Sequence, residues 1–182
     1  MDKKTEYKIL SLACLTGKIM LQNGSEVYRV ENHICQVAEY YGMTPQCFAT
    51  LTCIIITLKN SEGEVISLVE RVTSRTTNLD KVYQVYSLIR NISDYNCDEL
   101  REKLLNIENE KPYPFLINAA GNCIGAGFFT FLFSGNIREF IAAFLCGILI
   151  ATASKITDAL KLGTFFTNLL CGGISSGTAC LL

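Results

Sequence analysis

The feature that most constrains this chain is the loss of charge after Pro114. Of its 16 Lys and Arg residues 13 precede that point, as do 15 of its 17 Asp and Glu residues, leaving only Arg138, Glu139, Lys155, Asp158 and Lys161 beyond it. Helices packed as a soluble core need polar outer faces to meet water, and five charges supply few of them. The run "FLINAAGNCIGAGFFTFLFSG" is uncharged over about 20 residues, enough to cross a hydrocarbon layer about 30 Å thick. "FIAAFLCGILIATAS" and "LGTFFTNLLCGGISSGTACLL" are equally uncharged. The pattern predicts a transmembrane α-helical bundle over 113–182, with spans at about 115–134, 139–154 and 162–182.

The basic residues flanking these spans set an expected orientation. Arg101, Lys103 and Lys111 precede the first, Lys155 and Lys161 lie between the second and third, and only Arg138 lies between the first and second. Positive charge favours the cytoplasmic side, which puts the N-terminal region and the second loop in the cytoplasm and Arg138-Glu139 outside. Gly121-x-x-x-Gly125 and Gly173-x-x-x-Gly177 predict close-packing helix faces. The amides Asn118, Asn122 and Asn168 must find partners at membrane depth, so they either bridge helices or bind substrate. Lys155 and Asp158 are candidates for the cytoplasmic mouth.

Residues 1–112 read differently, as a small cytoplasmic α+β domain. Apolar residues recur at helical spacing over about 5–21, and Asn23-Gly24 stops that helix. A second helix follows, with Ser25 as its expected N-cap, a core face of Val27, Val30, Ile34, Val37, Ala38 and Tyr41, and Gly42 at its end. "QCFATLTCIIITLKN" and "EVISLVERVTSR" flank Ser61-Glu62-Gly63 and predict a β-hairpin. A helix capped by Thr77 or Asn78 and a charged helix from Asp98 to about Asn109 complete the domain, and "EKPYP" breaks the chain before the first span.

Bulk charge and motif content exclude several function classes. A net charge of −1 gives no basic field for nucleic acid. The nine cysteines form no CxxC, and His33 is the single histidine, so no metal site, redox centre or cofactor is expected. Nothing at the N-terminus reads as a secretory signal, which favours free thiols in a reducing compartment. No GxSxG, HExxH or P-loop is present, so the chain is not expected to be an enzyme.

The stretch "GSEVYRVENHICQVAEYYG" resembles the opening of the bacterial threonine/serine exporter (ThrE) family, whose helix begins with a Gly-small-Glu-x-Tyr-Arg-Val-Glu signature. "FATLTCIIITL", "RVTSRTTNLDKVYQVYSLIR" and "FTFLFSGNIREFIAAFLCG" resemble further family segments in the same order. The resemblance implies a multi-pass inner-membrane component exporting threonine and serine, or a dicarboxylate such as succinate. Within the family the chain is similar to the larger subunit of split, two-component exporters, which implies a second, small all-helical membrane subunit or a homo-oligomer as partner. Such subunits run to about five membrane helices against three here, so a truncated chain is expected. A family acid in the first membrane hairpin would fall on or near Glu139.

Glu26, Arg29, Glu31, Arg71, Arg75 and Asn78 are expected to form a charge network of the cytoplasmic domain. Glu26 and Arg29 sit at i, i+3, while Glu31 would look to Arg71 or Arg75. The competing reading is a cytoplasmic ligand-binding or regulatory module tethered by membrane helices.

Overall fold

The computed structural model describes residues 2–181 except Pro112 and Lys161, and the side chains of Asp158, Thr164, Ala179 and Leu181 are also outside the description. The chain forms two compact units, residues 1–110 and 111–182.

The first unit opens with α1 (Lys3–Gln22), whose face of Ile9, Leu12, Ala13 and Ile19 is fully buried. A Schellman turn ends it. Gly24, at φ +94°, donates its N–H to the Leu21 carbonyl and Ser25 donates to that of Met20, so two carbonyls orphaned at the helix end are satisfied. Next comes α2 (Val27–Tyr40), which buries Val30, Ile34, Val37 and Ala38 against α1 and ends in the same type of turn at Gly42. Its N-cap is Glu26, with no side-chain cap, and not Ser25 as the sequence suggests. The chain is still turning out of α1 at Ser25, whose Oγ is buried without a hydrogen-bond partner among the described residues.

The expected hairpin is a three-stranded antiparallel sheet in the order β1 (Thr44–Ala49), β2 (Cys53–Lys59), β3 (Val65–Arg71). The long β-branched run folds back on itself at Thr50–Thr52, where the Thr50 N–H donates to the Cys53 carbonyl at 2.8 Å. That turn lacks Gly, Pro or Asn, the residues that announce one in a sequence. The second turn does fall at 60–64, and Asn60 closes it by accepting from the N–H groups of Glu62 and Glu64. Ile54, Ile56 and Leu58 on central β2 point into the core and are fully buried.

Helix α3 (Leu79–Arg90) starts at Asn78, whose Oδ1 accepts from the Lys81 N–H. A short 3-10 turn (Ile92–Asp94) leads to α4 (Cys97–Asn109), which opens with a capping box between Asn96 and Glu99. Both helices close the core through Val85, Ile89, Leu100 and Leu104.

The second unit is three helices, α5 (Phe115–Leu132), α6 (Ile137–Ala159) and α7 (Thr164–Leu181), with α6 packed against both of the others. Among the described residues two stretches are long and apolar enough to cross a membrane, 115–132 and 137–157. They are only 11% and 17% buried, unlike the core helix of a soluble domain, which is mostly covered. The third expected span forms helix α7, which carries Asn168, Ser175 and Ser176 and is not one of the two stretches found among the described residues.

Candidate functional site

Two groups of residues carry functional weight, one in each unit. In the first, the signature segment and the Arg75–Asn78 segment meet at the end of α1. Arg75 Nε donates to the Leu21 carbonyl at 3.2 Å, the Thr76 N–H to Gln22 at 2.8 Å and the Asn78 N–H to Asn23 at 3.0 Å. Asn23 folds its own Nδ2 back onto the Ile19 carbonyl at 2.7 Å. A Cβ on Gly24 would lie 3.3 Å from the Thr76 carbonyl oxygen, in a backbone region L-residues avoid, so this junction needs glycine there.

The charged side chains do not join as one network. Glu26 and Arg29 pair with each other on an exposed face, and Arg29 also donates to the Tyr28 hydroxyl at 3.2 Å. The tyrosine bond, then Glu26, raises the Arg29 pKa above its ordinary value. Glu31 meets neither Arg71 nor Arg75. Its Oε1 accepts from the Ala49 N–H at 2.7 Å and fixes the end of β1. Arg71 is exposed at the end of β3, across from Cys53, and has no ion-pair partner among the described residues. Of the six residues expected to act together, Arg75 and Asn78 converge on the α1 turn, through backbone carbonyls that charge patterning does not reveal.

The sequence reading missed the charges that do cross between elements. Lys18 of α1 lies 3.2 Å from Glu70 of β3 and 3.7 Å from Glu108 of α4, each side chain about a third exposed. The hydrogen bond that Lys18 donates to Glu70 is the main reason the Lys18 pKa is raised. Lys81, nearly buried, donates to the Glu108 carbonyl at 2.9 Å. Buried Glu6 accepts from Asn60 Nδ2 at 2.8 Å. Spacing along the sequence does not expose pairs 27 to 90 positions apart.

Four cysteines of this unit are held in their unreactive form. Burial pushes the Cys14 and Cys47 thiols up to about 12, and raises Cys35 and Cys97 as well. At neutral pH such groups stay protonated and poorly reactive. No cluster of three potential metal ligands occurs among the described residues.

In the second unit α5 meets α6 through glycines other than the expected ones. A Cβ on Gly147 would come within 2.9 Å of Cys123 Cα, and one on Gly127 within 2.8 Å of the Phe140 ring. Gly121, Gly125, Gly173 and Gly177 have nothing within 4 Å of that position. Asn118, Gly121, Asn122 and Gly125 instead form an outward stripe at i, i+3, i+4 and i+7 on α5. Among the described residues Asn118 reaches the Tyr113 carbonyl, at 3.4 Å. Asn122 and Asn168 are exposed and without a partner among the described residues.

Next to this stripe, an open groove of about 740 Å³ runs along α6, lined by Ala126, Ala142, Cys146 and Gly147, with Arg138 and Glu139 at one end. Glu139 accepts from the Asn136 N–H at 3.0 Å and so closes the start of α6. Lys155 places its Nζ 4.4 Å from the centre of the Phe115 ring. Lys161 and the Asp158 side chain lie outside the described residues. This arrangement offers amide hydrogen bonds and small-residue surfaces, a chemistry of binding and passage.

A family model described as "Putative threonine/serine exporter" (ThrE) matches residues 11–182. No curated protein and no solved structure matches the chain.

Proposed function

Because the chain belongs to the threonine/serine exporter family, we propose that it is a multi-pass transporter component that exports threonine and serine with a second membrane subunit. The helices of 111–182 span the inner membrane, and residues 1–112 form its cytoplasmic domain, as the basic flanks of the spans favour. Substrate passes along the outward stripe of α5, where Asn118 and Asn122 offer amide donors and acceptors to its ammonium, carboxylate and hydroxyl groups. Asn168 makes a third such contact from α7. Arg75 and Asn78 hold the cytoplasmic domain together, and Glu26, Arg29 and Arg71 are left on its surface for docking.

The observation that carries this reading is the outward placement of three amides on apolar helices. An amide facing hydrocarbon without a partner is costly, so the stripe calls for water, substrate or another helix. A second subunit laid over Asn118–Gly125 would supply the missing wall, and its small residues allow close approach. The same wall is what a dicarboxylate such as succinate would need, which makes succinate the second substrate to try.

Efflux of labelled threonine, serine and succinate from cells expressing both halves tests the proposal. Export of threonine or serine that needs both chains and falls on Asn122→Ala is expected. Unchanged efflux of all three substrates would sink it.

A further inference from the structure

The first unit contains a groove of about 330 Å³ between α1 and β3. Its walls are apolar, with Cys14 and Leu68 among them, and its polar groups are Tyr7, Ser11, Lys18 and Glu70. Lys18 and Glu70 present opposite charges 3.2 Å apart, still about a third accessible. We propose that this groove binds a small zwitterionic α-amino acid.

Charge matching selects the ligand. A lone anion approaching Lys18 meets the Glu70 carboxylate beside it, with Glu108 close behind, and a lone cation approaching Glu70 meets Lys18. A ligand with ammonium and carboxylate on one carbon lies antiparallel to the pair, so that its ammonium gives Glu70 a second opposite neighbour and its carboxylate adds one to Lys18. Tyr7 and Ser11 stand on the same face of α1 as Lys18, at helical spacing, and bring hydroxyls to a polar ligand side chain. The volume of about 330 Å³ is ample for a free amino acid. Cys14, protonated at neutral pH, adds no competing charge. The proposal goes beyond export, since it gives the cytoplasmic domain a ligand of its own and makes it able to sense one.

The test is equilibrium dialysis of the full chain in detergent micelles against labelled L-serine, L-threonine and succinate. Serine and threonine should bind and succinate should not compete. Glu70→Gln and Lys18→Met should each weaken binding by at least about tenfold, a difference well resolved by such measurements. The triple variant Asn118→Ala/Asn122→Ala/Asn168→Ala, which removes the amides assigned to export, should still bind. In that background Ser11→Tyr, at an exposed position, fills the groove and leaves the ion pair in place, so it should abolish the remaining binding with an unchanged thermal transition; it decides the matter if Glu70→Gln fails to fold. No binding of either amino acid, binding that survives Ser11→Tyr in that background, or binding lost in the asparagine triple variant would each overturn the proposal. So would succinate binding indifferent to Glu70→Gln, which points to the adjoining hollow of Lys4, Lys8 and Arg101. Lost efflux with groove binding intact would count against the export reading alone.

Discussion

The two units treat their polar groups in opposite ways. In residues 1–110 buried charged side chains are matched inside the unit, Glu6 by Asn60 and Lys81 by the Glu108 carbonyl, as are the carbonyls ending α1 by Arg75, Thr76 and Asn78. In residues 111–182 the large apolar side chains and the amides face outward, with Leu116, Phe128, Leu132 and Phe165 more than half exposed. The first pattern belongs to a domain that water surrounds. The second belongs to helices whose solvent is lipid or another protein, because the same exposure in water would leave a large apolar surface wet.

The sharpest way to break this comparison is to remove equal side chains from each unit. Leu12→Ala empties a fully buried site beneath α1 and should cost about 2–5 kcal/mol of domain stability. Leu132→Ala, at a position 74% exposed, should change the same thermal transition by less than about 0.5 kcal/mol. Equal losses would show that α5 is a core helix.

A charge on the outer face of α5 sharpens the comparison further. Ile124 is half exposed near the middle of that helix. On a soluble surface Ile124→Asp would be harmless. In a membrane helix it should cost about 2.5–3.5 kcal/mol of insertion, read as a fall in the alkali-resistant membrane fraction. Full retention in that fraction would contradict the lipid-facing assignment.

Legibility in the sequence follows the same division. Loss of charge after Pro114 was enough to foresee apolar helices, because hydropathy over 18 residues is a local property. Helical periodicity likewise locates α1 to α4, and local chemistry narrows the cap of α3 to Thr77 or Asn78, of which Asn78 takes the role. The split of the strand run at Thr50–Thr52 was hidden because Ala-Thr-Leu-Thr carries strand propensity through the turn. Partner choice was hidden too. Glu31 took a backbone N–H of β1 in preference to an arginine, and Lys18 found Glu70 across the fold, since tertiary packing decides which charges meet. On α5 the sequence named small residues as contacts, but helix rotation faces Gly127 and Gly147 inward and leaves Gly121 and Gly125 open.

The junction at Gly24 tests whether the first unit depends on its backbone bonds. Gly24→Ala forces a Cβ into the left-handed region, 3.3 Å from the Thr76 carbonyl oxygen. A loss of about 1–2 kcal/mol is expected, measured by urea unfolding. Arg71→Ala, exposed and without an ion pair among the described residues, should sit within about 0.5 kcal/mol of the parent. Equal effects would mean that the junction is not what joins these segments.

The smallest expected effect comes from Lys18, and its sign follows from proton linkage. The folded-state pKa of Lys18 is raised, first by its hydrogen bond to Glu70, so the folded chain holds that proton more tightly than the unfolded chain. The contribution is therefore fully present below the unfolded lysine value, near about 10.4, and is lost as pH rises through the raised folded value. Partial exposure limits it to about 1 kcal/mol or less. Thermal unfolding from pH 8 to 11 should show a downward slope that Lys18→Met flattens. A slope that Lys18→Met leaves unchanged would mean that the pair held between three elements of the first unit contributes no more than an exposed one.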